Sequence, residues 1–466
     1  METAADLAGC HPDQTTNPER YNLPMKSRIL TLCAIAAIAS AQSNKKALVG
    51  GTLIDGFGGP PLRYSVILIE GEKIQAVGQV GSLPVPPDAQ VISTEGMSVL
   101  PGLWDMHVHT MLSGHSDYTH WDKTYPPQLE SVIMPATAKQ LLMAGVTSAR
   151  DLGAPLEASI HVRDAIRSGK IPGATLYVSG PFLQHEPYPG TEYFRWGIKG
   201  VDDARAKVQK LADAGVDCIK MIDQDQMTRE EIAAIVTAAH RRNLMVVAHA
   251  HRPNEIRFGL EAGVDDFEHT GLATAPEYPA DIIDKLHERT ARGNIPPLYW
   301  TPTVQVLYNY DYIRDHPEII DDPRWHEGLP QSIITDIRES LRHIDQLEYF
   351  RMVPPRKPTL KHKFQQLRES GAILLIGTDS GVPTQFHTQT TWNELDIWVH
   401  AMGVDPMDAI RAATFWPSAA MKVDREVGTV TPGKYADIIA VRGDVLRYID
   451  LLQNVDLVMK HGTRYK

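Results

Sequence analysis

The sequence has few cysteines. Only three occur among 466 residues, and two of them, Cys10 and Cys33, fall in an N-terminal segment that we predict to be a removable leader. The one remaining cysteine, Cys218, has no partner for an intrachain disulfide, which excludes a disulfide-stapled scaffold. An apolar core must therefore hold the fold together, and the 43% hydrophobic content of the chain is enough to form one.

Concentrated positive charge is also missing. The formal net charge is -11 at pH 7, and Lys and Arg form no dense run. Surfaces that bind nucleic acid or anionic membranes need clustered positive charge, so both are excluded as the main partner. We expect a small-molecule substrate instead. The sequence carries no marker of oligomeric state, and a homo-oligomer stays an open alternative.

No apolar run is long enough to span a membrane. The longest, residues 29–38, follows Met25-Lys-Ser-Arg and precedes Ala39-Ser-Ala41, which together are typical of a signal peptide cleaved after Ala41. The run has about half the roughly 20 residues that a bilayer span needs, so a stable membrane anchor is not expected. We predict a leader over residues 1–41, with the signal peptide at about 25–41, and export to a periplasm or out of the cell.

The middle of the chain, residues 104–424, has the pattern of repeated βα units. Short apolar strands alternate with segments of helical periodicity, such as residues 229–241. The number of predicted strands, eight, is the number that closes a parallel barrel, so we expect an α/β fold of the (β/α)8 TIM-barrel type. The predicted strands are 99–107, 147–152, 175–180, 218–222, 245–249, 266–269, 299–303 and 373–379.

Strand texture flanks this barrel on both sides. Short β-branched runs broken by Gly and Pro fill residues 42–103, and similar runs return in residues 425–466. We expect the two segments to be the N-terminal and C-terminal parts of one composite β-sandwich domain beside the barrel.

An insertion separates the seventh and eighth predicted strands. It has about 70 residues, far more than a barrel crossover requires. It contains Tyr308, Tyr310, Trp325 and Tyr349. Because loops on the active-site face of a barrel commonly build the substrate pocket, the insertion is either an aromatic lid or a structural flap.

Six side chains predict a metal centre. His107-Val-His109 ends the first predicted strand, and residues at i and i+2 share a face of a strand, so both imidazoles can point at one ion. Four more residues stand at or near the C-terminal ends of other predicted strands, and such ends converge on one face of a barrel. They are Lys220, His249, His269 and Asp379.

These residues resemble the ligand set of the metal-dependent amidohydrolase superfamily, and the resemblance covers nearly the whole chain after the leader. Within the superfamily the chain is most similar to the branch of imidazolonepropionase-like enzymes, prolidase-like dipeptidases and ochratoxin-hydrolysing amidohydrolases. Hydrolysis of C–N bonds, commonly in N-acyl amino acids or dipeptides, is implied. The motifs that carry the resemblance are Leu53-Ile-Asp-Gly, Leu100-Pro-Gly-Leu-Trp-Asp-Met-His-Val-His109, Gly145-Val-Thr-Ser-Ala-Arg-Asp151, Gly377-Thr-Asp379 and Pro432-Gly-Lys-Tyr-Ala-Asp437.

The resemblance also implies a role for each ligand. The family uses a lysine on the fourth strand as a carbamate, so N6-carboxylated Lys220 would bridge two divalent ions, with Zn²⁺ as the default. One ion would be held by His107, His109 and Asp379, and the other by His249 and His269. Asp379 would act as the proton shuttle, taking a proton from the water that the ions activate and passing it to the leaving amine.

Each of the other residues near the predicted strand ends has two alternative roles. His251 shares a face with His249, so the residues alone leave open which of them binds metal; the family pattern favours His249 and leaves His251 for substrate contact. His185 and Tyr188 follow the third strand and either contact substrate or lie in a solvated loop. For Arg150 a structural ion pair between strand ends is preferred over a clamp on a substrate carboxylate.

The expected function is hydrolysis of an amide bond in an N-acyl amino acid or small dipeptide, as in a dipeptidase or carboxypeptidase. Cyclic amides, lactones and phosphotriesters are the alternative substrates, because the same activated water attacks any of these electrophiles. A non-catalytic binding protein on an amidohydrolase barrel is a minor alternative, and it would require missing ligands.

Overall fold

The structure of the chain is a computed structural model that describes residues 44–271, 275–291 and 293–466, without the side chains of residues 348 and 349. The predicted leader, residues 1–41, lies outside the described residues, so its removal and the export of the protein stay predictions. In the described part of the chain, no helix is both long and apolar enough to cross a membrane.

The N-terminal segment forms six strands, which divide between two sheets. One sheet has the strand order β4-β3-β1-β5, in which β1 pairs antiparallel with β3 and parallel with β5. The other two strands, β2 and β6, pair in parallel in a second sheet. The strands are β1 (Lys45–Val49), β2 (Thr52–Leu53), β3 (Ser65–Glu70), β4 (Lys73–Gln79), β5 (Gln90–Ser93) and β6 (Met97–Pro101).

Parallel strands in the middle of the chain close into a ring. These strands are β7 (Leu103–Val108), β8 (Val146–Asp151), β9 (Thr175–Val178), β10 (Phe182–Gln184), β11 (Arg195–Gly197), β12 (Cys218–Met221), β13 (Met245–His249), β14 (Asp266–Glu268), β15 (Tyr299–Thr301) and β16 (Ile373–Leu374). A three-stranded sheet β7-β8-β9 and a seven-stranded sheet β11-β10-β12-β13-β14-β15-β16 share them.

Backbone contacts join the two sheets at both ends. On one side β9 runs on into β10, which pairs with β12. On the other side the segment after β16 bonds to β7: Met106 N donates to Ile376 O at 2.9 Å, and Asp379 N donates to His107 O at 2.8 Å. The result is the TIM barrel that the sequence predicted, with β9 and β10 acting as one interrupted strand.

The C-terminal segment completes the second sheet of the sandwich. Its strands are β17 (Ile438–Arg442), β18 (Leu457–Lys460) and β19 (Thr463–Arg464), and the sheet order is β19-β18-β17-β6-β2. Leu48 and Ile67 of the first sheet share a buried apolar cluster with Val99, Ile438 and Met459 of the second. The two ends of the chain therefore form one composite sandwich.

Helices cover the outside of the barrel and its mouth. They are α1 (Tyr118–Thr124), α2 (Met134–Met143), α3 (Leu156–Arg167), α4 (Val201–Asp213), α5 (Arg229–Arg241), α6 (Pro253–Ala262), α7 (Ala280–Thr290), α8 (Gln305–Asp315), α9 (Pro323–His326), α10 (Gln331–Ser340), α11 (Glu348–Glu369), α12 (Thr390–Ile397), α13 (Pro406–Ala412) and α14 (Phe415–Ala420). Ile232 and Ile235 of α5, three residues apart on one helix face, are buried in the same cluster as Ile219 and Val246 of the strands beneath.

The prediction that residues 99–107 form one strand is wrong. Residues 99–107 are two strands in two sheets, because the chain leaves the sandwich after β6 and enters the barrel at β7. Gly102 makes the switch: a Cβ there would lie 2.2 Å from Thr147 Cγ2, and its backbone N donates to Asp437 O at 2.9 Å. A continuous apolar run does not reveal where it changes sheets, since both sheets are buried.

Candidate metal centre

Strand β7 and the loop after β16 bring three predicted ligands together. His107 lies in β7 and His109 directly follows that strand, with their Nε2 atoms 3.3 Å apart. Oδ1 of Asp379 lies 3.3 Å from Nε2 of His107 and 3.0 Å from Nε2 of His109. His107 is fully buried, while 18% of the Asp379 side chain is exposed, so this group lies at the floor of an open site.

The histidines of β13 and β14 complete a second group beside the first. The ring centroid of His269 lies 4.6 Å from that of His249, 4.4 Å from that of His251 and 4.9 Å from that of His107. Two sets of side chains place their ligand atoms within 4.8 Å of one another: His249, His251 and His269, and His107, His269 and Asp379. The sets share His269, and His251 is as close to the group as His249.

Lys220 lies beneath these histidines on β12 and is fully buried. Its Nζ makes no hydrogen bond to any described residue, and the same holds for Nδ1 of His249 and Nε2 of His269. Buried polar atoms without partners are costly and rare, so three in one place indicate a ligand site. Imidazole nitrogens and a carboxylate are suitable ligands for divalent metal ions. A buried lysine amine is suitable for conversion to a carbamate.

Burial sets the protonation of the site. It lowers the pKa of Lys220 to about 8, which brings the neutral amine that can react with carbon dioxide within reach of physiological pH. It also lowers the pKa of His107, His249 and His269 well below the ordinary value, with nearby Lys220 acting in the same direction. Neutral imidazole is the form that binds metal.

A buried ion network supports His107 and confirms the structural ion pair preferred for Arg150, whose partners the sequence analysis did not identify. Glu268 accepts a hydrogen bond from Nδ1 of His107 at 2.6 Å. Arg150 Nη2 lies 2.7 Å from the other oxygen of Glu268 and 2.6 Å from Asp266 Oδ2, and all of these side chains are buried. Arg150 is therefore engaged in a structural ion pair and does not face the cavity.

Asp105, also missed, ties β7 to the loop that carries Asp379. Its carboxylate accepts hydrogen bonds from the backbone N of His107 at 3.1 Å and of Thr378 at 3.1 Å. It also accepts from the hydroxyls of Thr378 at 2.7 Å and Thr391 at 2.8 Å. One buried carboxylate thus fixes the backbone beside ligands from two strands.

A cavity of about 570 Å³ opens above the ligands. His109, His249, His251, His269 and Asp379 form its floor. Its walls come from helix α1, from the segment between β10 and β11, and from the insertion between β15 and β16. This volume is typical of pockets for small molecules.

The insertion contributes to the cavity, but not through the aromatic residues expected of a lid. Tyr310 is fully buried, and Trp325 stacks on Phe386 with ring centroids 4.7 Å apart. The side chain of Tyr349 lies outside the described residues. The cavity wall consists instead of one face of α11 together with Val306 and Leu307 of α8; the α11 residues are Met352, Arg356, Leu360 and Lys363.

The predicted substrate contacts divide between two places. Tyr188 and His251 line the cavity, and the Tyr188 hydroxyl donates to Asp223 Oδ2 at 3.0 Å. His185 is exposed and lines a separate surface depression with Glu186 and Trp196. The structure does not bring His185 to the cavity, because the chain turns outward directly after β10.

A third cluster, His115, His120 and Asp336, connects α1 to α10 beside the cavity. His120 Nε2 lies 2.8 Å from Asp336 Oδ2, and His115 Nε2 lies 3.5 Å from the same oxygen. Nδ1 of His115 accepts the backbone N–H of Asp117 at 3.0 Å, so the ring proton of the neutral imidazole is on Nε2. Contact of both rings with the Asp336 carboxylate, which also accepts from the Tyr125 hydroxyl at 2.6 Å, explains this geometry better than a metal ligand.

A signal for the missed ion network was present in the sequence. Asp266 and Glu268 stand at alternate positions of a predicted barrel strand, so both point to the same side. Charged residues on the inside of a barrel strand require a partner of opposite charge, and Arg150 near the end of another predicted strand was available. No local pattern marked Arg195 or the α11 residues, because their place in the wall depends on how loops fold over the mouth.

The comparisons with known proteins agree with this arrangement. The sequence profile of the amidohydrolase family matches residues 98–464 of the chain. The chain belongs to the amidohydrolase family. This amidohydrolase is thus a hydrolase that acts on C–N amide bonds, as the sequence analysis predicted, and its family generally uses divalent metals.

Similar proteins include ochratoxinase from Aspergillus niger, which is 26% identical over 504 residues covering 97% of this amidohydrolase and 91% of that protein. Among solved structures, a Xaa-Pro dipeptidase with bound methionine has a TM-score of 0.68 at 24% identity, covering 91% of this chain and 100% of that one. The A. niger ochratoxinase structure has a TM-score of 0.67 at 23% identity, with coverage of 91% and 96%. At these identities the structures establish a shared fold.

Proposed function

We propose that this amidohydrolase cleaves the amide bond of N-acyl amino acids or small dipeptides at a centre of two divalent ions. The observation that carries the proposal is the convergence of His109, His249, His269 and Asp379 on the floor of one cavity, with the buried His107 beside them and the unpartnered amine of Lys220 below. Zn²⁺ is the default metal, because histidine, carboxylate and carbamate ligands suit it and it is readily available.

The donor set divides into two ion sites with a bridge. His107, His109 and Asp379 would hold one ion, His249 and His269 the other, and N6-carboxylated Lys220 would connect them. Ions bound there would supply a Lewis acid for the substrate carbonyl and would lower the pKa of water to about 7.

Asp379 is the group that transfers the proton in this proposal. The Asp379 carboxylate lies at the cavity floor and is partly exposed, 3.0 Å from Nε2 of His109. It is placed to take a proton from the attacking water and to deliver it to the nitrogen of the leaving amine. Glu268 and Asp105 keep His107 in position during this transfer through their hydrogen bonds to its ring and backbone.

The substrate class rests on the size and charge of the cavity. A volume of about 570 Å³ accommodates an acylated amino acid or a dipeptide. The cavity walls contain four basic residues against two acidic ones, Asp122 and Asp223, and this excess of positive charge favours substrates that carry a carboxylate. The basic residues are Lys123, Arg195, Arg356 and Lys363. The names of two similar proteins, ochratoxinase and Xaa-Pro dipeptidase, agree with this class.

Amine release by the Zn²⁺-reconstituted full chain tests the proposal. The panel contains N-acyl amino acids and X-Pro, X-Lys and X-Phe dipeptides, each with and without chelator. We expect chelator-sensitive turnover of at least one member and its loss in Asp379→Asn. Metal-loaded protein that is inert to the panel but cleaves lactones, cyclic amides or phosphotriesters would replace the substrate assignment.

The lysine bridge has a separate test in metal content. We expect about two metal equivalents per chain in protein purified without chelator, and a sharp fall in Lys220→Ala. Lys285→Ala is the matched control, since Lys285 is 37% exposed and its Nζ lies 3.5 Å from Glu261 on the surface. One equivalent in both wild type and Lys220→Ala would rule out a bridged pair of ions.

Export is part of the proposal because it decides which amides the enzyme meets. The signal-peptide pattern at residues 25–41 supports it. N-terminal sequencing of the secreted protein should begin at Gln42, whereas an uncleaved chain retained in the cytoplasm would contradict it.

A further inference from the structure

Arg195 is the first residue of β11 and lines the wall of the metal-centre cavity. Its guanidinium packs among three aromatic rings, with centroid distances of 5.1 Å to Phe182, 4.6 Å to Tyr188 and 5.0 Å to Phe194. The rings hold the group in place and cover part of it, so that Arg195 is half-buried. Cation–π contact stabilises the positive charge, but it does not satisfy the N–H donors.

One edge of this guanidinium donates no hydrogen bond to the described residues. Nη1 donates to the amide oxygen of Gln184 at 3.1 Å. Nε is buried without a partner, and the edge formed by Nε and Nη2 donates to no described residue. No carboxylate of the described residues forms an ion pair with Arg195, whereas Arg252 on a neighbouring loop has three, from Asp223, Asp225 and Glu255.

Arg195 is half-buried with its Nε atom fully buried, and Asp122 and Asp223 act on its charge without forming an ion pair with it. A cation held in this way is unfavourable unless a ligand supplies a direct partner. Burial lowers the pKa of Arg195 from its ordinary value, but arginine stays protonated at neutral pH. Two parallel N–H groups on one edge match the two oxygens of a carboxylate. The missing partner therefore has the chemistry of a carboxylate that enters the cavity from outside.

The position of this edge relates it to the reaction. The ring of Phe182 contacts both Arg195 and the candidate metal ligand His109, with a centroid distance of 5.9 Å to the ring of His109. In an N-acyl amino acid the carboxylate is separated from the amide nitrogen by one carbon. A substrate whose carbonyl lies over the ligands can therefore extend its carboxylate along Phe182 towards Arg195.

We propose that Arg195, with Phe182, Tyr188 and Phe194, forms the subsite that binds the carboxylate of the substrate and selects for an apolar or aromatic group beside it. This inference rests on the proposed amide hydrolysis and makes it more specific. Arg195 is a specificity-determining residue: it does not touch the reacting bond, and its loss should impair only substrates that carry the charge.

The test compares N-acetyl-L-phenylalanine with N-acetyl-L-phenylalaninamide, which lacks the carboxylate. Both are assayed with the metal-loaded full chain and with Arg195→Met, Arg195→Lys and Arg356→Met. We expect Arg195→Met to lower kcat/KM for the acid by roughly 100-fold, mainly through KM, and to change the value for the amide by less than about 3-fold. Arg195→Lys should restore part of the loss, since it keeps the charge without the two-donor edge.

Arg229→Met is the matched control. Arg229 lies 4.6 Å from the ring centroid of Phe258, the same stacking distance as Arg195 to Tyr188, but it is 65% exposed on α5 and pairs with Glu261. Arg229→Met should leave kcat/KM for both substrates unchanged. Equal losses for acid and amide in Arg195→Met would assign Arg195 a structural role, and selective loss in Arg356→Met alone would move the subsite to α11; either result overturns the proposal.

A binding measurement distinguishes failure of the proposed amide hydrolysis from failure of the carboxylate subsite. If wild-type protein hydrolyses neither compound, calorimetry still measures the Kd of each with metal-loaded protein. Tighter binding of the acid than of the amide, lost in Arg195→Met and kept in Arg229→Met, would support the subsite without the reaction. The same preference in wild type and Arg195→Met would overturn it.

Discussion

Oε2 of Glu268 lies 2.6 Å from Nδ1 of His107, and both side chains are fully buried. Because Nδ1 donates its proton to this carboxylate, the lone pair of Nε2 points towards His109 and Asp379, in the tautomer that binds metal. The other oxygen of Glu268 is held by Arg150. An ion pair inside the barrel thus orients a candidate metal ligand at its mouth.

Glu268→Gln should lower the affinity for Zn²⁺ by about 10- to 100-fold, because loss of the charged acceptor weakens the orientation and basicity of His107. Competition with a chromophoric chelator measures it. The control Glu130→Gln removes a carboxylate that lies 2.9 Å from the exposed His161 and should leave the affinity unchanged. Wild-type affinity in Glu268→Gln would show that the carboxylate does not position the ligand.

Arg150→Met should destabilise the fold by about 3–5 kcal/mol, because Asp266 and Glu268 would remain buried without their counter-ion. Urea unfolding of the metal-free proteins measures the difference. Arg205→Met is the control: Arg205 is 59% exposed and pairs with Asp202 at 3.0 Å, so its loss should cost less than about 1 kcal/mol. Similar costs for the two variants would contradict the role assigned to the network.

Gly377→Ala should weaken metal binding and reduce stability by about 1–3 kcal/mol. A Cβ at this position would lie 2.4 Å from Thr301 Cγ2 and 2.9 Å from the backbone N of His107, so the ligand strand must shift. Metal content and urea unfolding measure the two effects. Gly59→Ala, where a Cβ meets nothing within 4 Å, should change neither. A fully metallated Gly377→Ala protein would show that the strand can move without disturbing the ligands.

His387 predicts a pH dependence of stability. Burial lowers its pKa to about 4, and the nearby His109 acts in the same direction, while the hydrogen bond from Nε2 to Leu112 O opposes the shift only in part. The folded state then binds a proton less readily than the unfolded state, whose histidine has the ordinary value of about 6.5. This contribution to stability is present above about pH 6.5 and is lost as the pH falls to about 4.

Replacement by a neutral residue should remove that loss. Between pH 6.5 and pH 4 the unfolding free energy of His387→Gln should fall by about 3 kcal/mol less than that of wild type. Chemical unfolding at a series of pH values in metal-free buffer measures the slope, which is independent of any constant cost of the substitution. The surface variant His161→Gln should keep the wild-type slope, and an unchanged slope in His387→Gln would refute the assignment.

Much of the fold follows from local patterns of residue types along the sequence. The alternation of apolar strands with helical segments such as α5 predicted the barrel, and short β-branched runs at both ends predicted the composite sandwich. Residue chemistry at strand ends predicted the cluster around His107, His249 and Asp379, because parallel strands must deliver their C-terminal ends to one face. These inferences depend only on periodicity and order along the chain.

Other features depend on which strands become neighbours. The apolar run 99–107 could not show that Gly102 passes the chain from one sheet to another, since burial in either sheet requires the same residue types. The alternate positions of Asp266 and Glu268 indicated a need for a cation, but their pairing with Arg150 was decided only when the ring placed β8 across the interior from β14.

The sequence by itself determined the barrel, the ligand types and their convergence, because strand periodicity and the direction of parallel strands are local properties. Only the tertiary structure decided which face of α11 covers the mouth, that His185 points away from the cavity, and that Arg195 presents an unused edge to it. Cavity walls are assembled from segments distant in sequence. Their contacts depend on the three-dimensional course of loops, which no local pattern encodes.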